Sequence, residues 1–112
     1  MRRSDRLTSA DDFRRVYSQG RRASDGALTA HVLSSGEDLA PRVGITATRG
    51  LGGAVQRNRA KRRVRAVVRE LGDSIRPGSE VVVTATADAV TADFQQLVDN
   101  LRTVLDKVGA CR

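Results

Sequence analysis

The segment Ala54–Leu71, AVQRNRAKRRVRAVVREL, constrains this chain more than any other. It carries Arg57, Arg59, Lys61, Arg62, Arg63, Arg65 and Arg69 against one acid, Glu70, a net of +6 in a chain whose total is +7. Its periodicity is helical. At about 100° per residue, Ala60, Val64, Val67, Val68 and Leu71 form one apolar stripe. Asn58, Lys61, Arg62, Arg65 and Arg69 fall on the far side. Arg59 and Arg63 stand on a flank, and Arg57 falls close to the stripe, where its stem can pack. One face can therefore dock on a core while the other presents guanidiniums. A planar guanidinium pairs bidentately with phosphate and stacks on bases, which an ammonium does not do. A merely solvated helix would interleave acids at i,i+4, and this one does not.

The totals bound the rest. A chain of 112 residues fits one domain, residues 1–112, with one modest core. The first eight residues are expected to be a flexible basic arm. There is no apolar run long enough to span a bilayer, and the basic start MRRSDRL has no apolar segment behind it. The single cysteine, Cys111, allows no internal disulfide and suits a cytoplasmic protein. A pI near 11.1 points to a polyanion, nucleic acid before membrane. A membrane surface would call for large apolar residues opposite the bases, and the only aromatics are Phe13, Tyr17 and Phe94. Residues 1–22 hold seven arginines against three aspartates, a second basic block of +4.

Ser9 followed by Asp12 predicts a capped helix over Ala10–Ser18, stopping at Gly20, with Phe13, Val16 and Tyr17 on one side. Leu28–Leu33 and Arg42–Thr48 read as strands. Arg21–Gly26 carries a weaker strand signal. Glu80–Ala87, EVVVTATA, is the most strand-like segment and reads as buried. Thr91 is the expected cap of a last helix with the stripe Phe94, Leu97, Val98, Leu101, Val104, Leu105 and Val108. The pattern predicts an α+β fold, one sheet with helices packed on it. The long crossover through the basic helix would by default be right-handed.

A self-sufficient enzyme needs convergent acids, bases or nucleophiles. The sequence offers one histidine, His31, and one distant cysteine, which make no catalytic dyad and no zinc site. The carboxylates show no paired pattern for magnesium, and Gly50–Gly53 lacks the rest of a phosphate loop. The residues alone thus give a small basic RNA- or DNA-binding domain without a catalytic or metal site of its own. A helix-turn-helix protein is the main rival, but it has no need of a strand as apolar as Glu80–Ala87.

Ala54–Arg65, AVQRNRAKRRVR, closely resembles the signature of the bacterial ribonuclease P protein subunit: Ala-Val, one residue, Arg-Asn-Arg, one residue, Lys-Arg, two residues, Arg. Leu7–Gly20 resembles that family's first helix, Leu28–Leu33 its first strand and Arg42–Arg49 the strand before the signature. The resemblance covers nearly the whole chain in order. Two departures occur in the loop before the helix. Thr48-Arg49-Gly50 stands where the family usually has a basic pair, and Gly52-Gly53 precedes Ala54-Val55 where Gly-Asn is usual.

The resemblance implies an αβββαβα two-layer sandwich with one mixed sheet of about four strands and a left-handed crossover. It implies that a catalytic RNA cleaves precursor tRNA, with magnesium held mainly by that RNA and no cofactor on the protein. The protein would bind the RNA subunit and the 5′ leader, with no membrane and no obligate protein partner. Carried over residue by residue, the RNA-subunit contacts are Arg49, Arg57, Asn58, Arg59, Lys61, Arg62 and Arg65. The leader cleft would comprise Phe13, Tyr17, His31, Lys61 and Asn58. The alternative is a non-enzymatic RNA- or DNA-binding protein of ribosomal or chromatin type.

Overall fold

A computed structural model describes residues 6–7, 9–34, 40–48 and 51–111. The elements run α1 (Ala10–Gln19), β1 (Arg21–Asp25), β2 (Leu28–Ser34), β3 (Arg42–Ala47), α2 (Ala54–Leu71), β4 (Ser79–Ala85) and α3 (Phe94–Lys107), with 3-10 turns at Gly72–Ser74 and Ala87–Val90. The order is αβββαβα. The weakly signalled strand after α1 is present, as an edge strand paired antiparallel to β2.

The sheet order is β1-β2-β4-β3. β2 and β4 are antiparallel, β3 and β4 parallel, so the sheet is mixed. The parallel pair is joined through α2, as a crossover of that length allows. β4 lies between two neighbours and its faces are both covered, which explains its uninterrupted valines. Val81 and Val83 join the main core with Leu28, Ala30 and Val32 of β2, the stripe of α2 and that of α3. Val82 points the other way and packs with Val16 of α1 and Leu7, against Phe13 and Leu33. α2, α3 and the sheet thus form the main sandwich, and α1 covers part of the opposite face.

All five residues of the α2 stripe are buried. Burial of Val64, Val67, Val68 and Leu71 stabilises the docking by about 1.5–3 kcal/mol each, so packing rather than propensity holds a helix this charged. α1 starts as expected: Ser9 Oγ accepts from the Asp12 amide at 3.1 Å. α3 differs. Its cap is Asp93, whose side chain accepts from the Gln95 amide, because the 3-10 turn ending at Val90 displaces the helix start past Thr91. Phe94 consequently sits in the first turn with 38% of its surface exposed, outside the buried stripe.

Two polar details fix the frame. Buried Asn100 of α3 donates to the Asp25 carboxylate at 2.9 Å, holding the β1–β2 turn down. Arg15 pairs with Glu80 and Asp12, and Arg42 reaches the same two acids at 3.5 and 3.2 Å, tying α1 to the sheet. Burial pushes the Asp12 carboxyl up, but bonds from Ser9 and Arg15 and the charge of Arg42 outweigh it and hold the group below its ordinary range. Within the expected arm, Arg6 and Leu7 are described, and they are held to the sheet. Arg6 pairs with Val43 beside β3, and the Leu7 amide donates to the Val43 carbonyl at 3.1 Å. The reason is apolar: Leu7 is 3% exposed between α1 and the sheet. Arg2 and Arg3 lie outside the described residues.

Candidate nucleic-acid interface

The solvent side of α2 carries Asn58, Arg59, Arg62 and Arg69, all exposed. None of their side chains has an ion pair among the described residues. Val55, 79% exposed in the first turn, adds an apolar spot to the same helix, and only its exposure marks it. Arg57 and Arg63 behave differently. Arg57 donates to the carbonyls of Thr48 and Ala47 at 2.9 and 3.2 Å. Arg63 donates to the carbonyls of Ala89 and Val90 at 2.9 and 2.8 Å, and also to that of Ala92. A guanidinium with its donors on backbone carbonyls is a brace. Arg57, expected among the RNA contacts, thus holds the end of β3 against the first turn of α2, the placement that its angle near the stripe allows.

Lys61 and Arg65 are half-buried and turn toward the β3 edge of the sheet. There they line a cleft of about 400 Å³ with Arg6, Leu7, Phe13 and the strand residues Val43–Thr46. Three cations and, among the described residues, no carboxylate line it. Arg65 Nε is buried with no hydrogen-bond partner among the described residues. Phe13 packs against Gly44: a Cβ on that glycine would stand 2.7 Å from Cε1 and Cζ of the ring. Phe13 therefore both anchors α1 and walls the cleft.

One turn along α1, Tyr17 is 42% exposed. Its ring meets His31 edge-on at 4.7 Å, and its hydroxyl lies 3.4 Å from Thr46 Oγ1. Thr46 also lines the cleft, so the pair adjoins it. Burial, then the charge of nearby Arg22, pushes the His31 pKa below its ordinary value, favouring the neutral ring. Of the expected leader residues, Phe13 and Lys61 share the cleft and Tyr17 and His31 border it. Asn58 is exposed on α2 and does not line it. Arg49 lies outside the described residues. The sequence reading missed Gly44 and Thr46. Both sit at alternate positions of β3, but which strand β3 lies beside could not be read from the pattern.

Among the described residues no group of three or more His, Cys, Asp or Glu could hold a metal ion, and no helix is long and apolar enough to cross a membrane. What remains is a basic helix face beside a cationic cleft walled by Phe13 and bordered by Tyr17 and His31. Such a surface suits phosphates on one side and unstacked bases on the other.

Known proteins resemble this chain in sequence and fold. The family model described as Ribonuclease P matches residues 1–109. The ribonuclease P protein component of Symbiobacterium thermophilum is 39% identical over 109 residues, spanning 97% of this chain and 95% of that protein. That of Herpetosiphon aurantiacus is 46% identical over 99 residues, spanning 87% and 78%. Among solved structures, the RNase P protein of Staphylococcus aureus superposes with a TM-score of 0.81 at 25% identity, over 96% of this chain and 98% of that one. The RNase P protein of Thermotoga maritima gives 0.75 at 26% identity, over 92% and 94%. The chain belongs to the ribonuclease P protein family.

Proposed function

We propose that the chain is the RNA-binding protein subunit of a ribonuclease P ribonucleoprotein and takes part in removing the 5′ leader from precursor tRNA. The observation that carries this reading is the junction of two surfaces. The exposed bases of α2 form one, and the cleft of Phe13, Lys61 and Arg65 forms the other. Two surfaces fit two RNAs. Asn58, Arg59 and Arg62 contact the RNA subunit, and the cleft with Tyr17 and His31 takes the single-stranded leader. Catalysis resides in the RNA. In its described residues the two carboxylates that come together, Asp12 and Glu80, are both tied to Arg15 and Arg42, and no group of three or more His, Cys, Asp or Glu is placed to hold a metal ion. In this reading magnesium is held mainly by the RNA, and the protein's cations lower the repulsion between the two RNAs. A ribosomal or chromatin role would use the basic face but would leave the cleft walled by Phe13 without an occupant.

Reconstitution tests this. The chain added to ribonuclease P RNA should raise precursor-tRNA cleavage at low magnesium, where the RNA alone is slow. An equal rate with and without the protein would overturn the reading.

A further inference from the structure

The face of the sheet left open beside α1 carries a row of hydroxyls that runs from one edge to the other. Thr46 of β3 is paired in register with Thr84 of β4, Thr84 with Thr29 of β2, and Thr29 with Ser24 of β1. Thr46 and Thr84 hydroxyls are 3.0 Å apart, and those of Ser24 and Thr29 2.9 Å. The Tyr17 hydroxyl joins the row at Thr46. With strands about 4.8 Å apart, four hydroxyls span roughly 14 Å, room for about two or three nucleotides of an extended strand.

The setting favours an anionic strand. One end of the row, Thr46, is part of the cleft that Arg6, Lys61 and Arg65 line. Near the other end stands Arg22, exposed, on the same face as Ser24, and close enough to His31 to disfavour its cation. Glu80, the one carboxylate on this face among the described strand residues, lies on the far side of Val82 and is tied to Arg15 and Arg42. We infer that the row is a ribose-reading shelf, along which the leader runs from the cleft toward β1 with its 2′-hydroxyls bonded to Thr46, Thr84, Thr29 and Ser24. Each threonine hydroxyl has one donor and two acceptor sites, so the pairwise bonds leave acceptors open for a 2′-OH. A deoxyribose strand would lack that donor, and the 2′-OH is the group by which a protein tells RNA from DNA. The inference rests on the leader-cleft reading above and adds to it the chemistry that is read and the path that is taken.

The test uses the reconstituted complex of ribonuclease P RNA and protein, with three precursor tRNAs: no leader, an RNA leader, and a leader made 2′-deoxy except next to the cleavage site. The natural protein should bind the RNA leader about fivefold to tenfold more tightly than the deoxy leader, the effect of one or two lost hydrogen bonds. Thr46→Val with Thr84→Val keeps shape and strand preference and removes both hydroxyls of a pair, and the Tyr17 hydroxyl, which loses Thr46, is exposed and turns to water. That variant keeps Thr29 and Ser24 and should lose most of the preference, binding the RNA leader within about twofold of the deoxy leader. Ser24→Ala, at the exposed edge where folding is not at risk, should remove a smaller part of the preference. Equal binding of the two leaders by the natural protein, or an undiminished ribose preference in both variants, would overturn the shelf. If the leader adds no affinity at all, it is the cleft reading that has failed.

Discussion

The Tyr17 ring stands edge-on to the His31 imidazole, centroids 4.7 Å apart and planes at 78°. The contact joins α1 to β2 at the border of the cleft and leaves much of the Tyr17 face open. A flat face of this kind stacks on any base, at about 1–3 kcal/mol each. Tyr17→Ala and His31→Ala should therefore each weaken binding of leader-bearing precursor tRNA by about tenfold or more and leave mature tRNA nearly unaffected. Filter binding of the two ligands to each reconstituted variant checks this. Equal losses for both would make these side chains general contacts.

The same histidine gives a pH dependence. Its Nδ1 is buried without a partner among the described residues, and burial and Arg22 hold its pKa below the ordinary 6.5. The unfolded chain therefore takes up the proton at higher pH than the folded one. Stability from the neutral ring is present above 6.5 and is lost as pH falls from there through the folded value. Asp12 titrates in a separate window, below its ordinary 3.8. The melting temperature should fall between pH 7 and pH 5, and fall less in His31→Gln. Parallel slopes for the two proteins would assign the loss to other groups.

α2 was legible because two signals coincide in it: an apolar period of 3.6 and bases confined to the other face. Its stripe and its bounds, Ala54–Leu71, are those observed. β4 was legible from its valines, although not the reason for them, which is its place between β2 and β3. Pairing order is a long-range property, and period alone does not carry it. For that reason Gly44 and Thr46, which floor the cleft, went unseen until β3 was placed at the sheet edge. Arg57 shows the converse limit. Its type and spacing match those of an RNA contact, but whether its donors meet phosphate or the Thr48 carbonyl depends on a loop that sequence does not position.

Arg57 and the exposed arginines of α2 should separate cleanly in two measurements. Arg57 holds two carbonyls, and charged donors of this kind contribute about 1.5–3 kcal/mol each, less at the Thr48 carbonyl, which also accepts from the Leu51 amide at 3.3 Å. Its half-buried position reduces that, so Arg57→Ala should cost roughly 1–3 kcal/mol and lower the melting temperature by several degrees. Arg59→Ala and Arg62→Ala should leave melting within about a degree. In a salt titration of RNA-subunit binding, each of these two should reduce the log–log slope by about 0.7–0.9. Arg57→Ala should leave that slope as it is. Calorimetry and salt titration on all three variants decide the matter, and an Arg57 variant with natural melting and a reduced slope would make it a phosphate contact.

Gly44 and Phe13 should be coupled in both stability and leader binding. A methyl on Gly44 would lie 2.7 Å from Phe13 Cε1 and Cζ and 3.1 Å from Leu7 Cβ, well inside ordinary carbon contact. β3 is held by β4, so the ring must give, by roughly 1 Å. Its buried side rests against Leu7, Val16 and Val82, and the open direction is the cleft. Gly44→Ala should therefore cost about 1–3 kcal/mol through overpacking and narrow the leader path. Phe13→Ala removes the ring and leaves space where that methyl fits, so in its background Gly44→Ala should cost nothing or stabilise slightly. The double-mutant cycle should then show a coupling of at least about 1 kcal/mol. Gly44→Ala alone should also weaken leader-bearing precursor tRNA more than mature tRNA. Melting temperatures of the four proteins measure the first effect and paired binding assays the second. Additive melting shifts would mean that the ring moves aside freely, and the cleft wall would then not be built from Phe13 on Gly44.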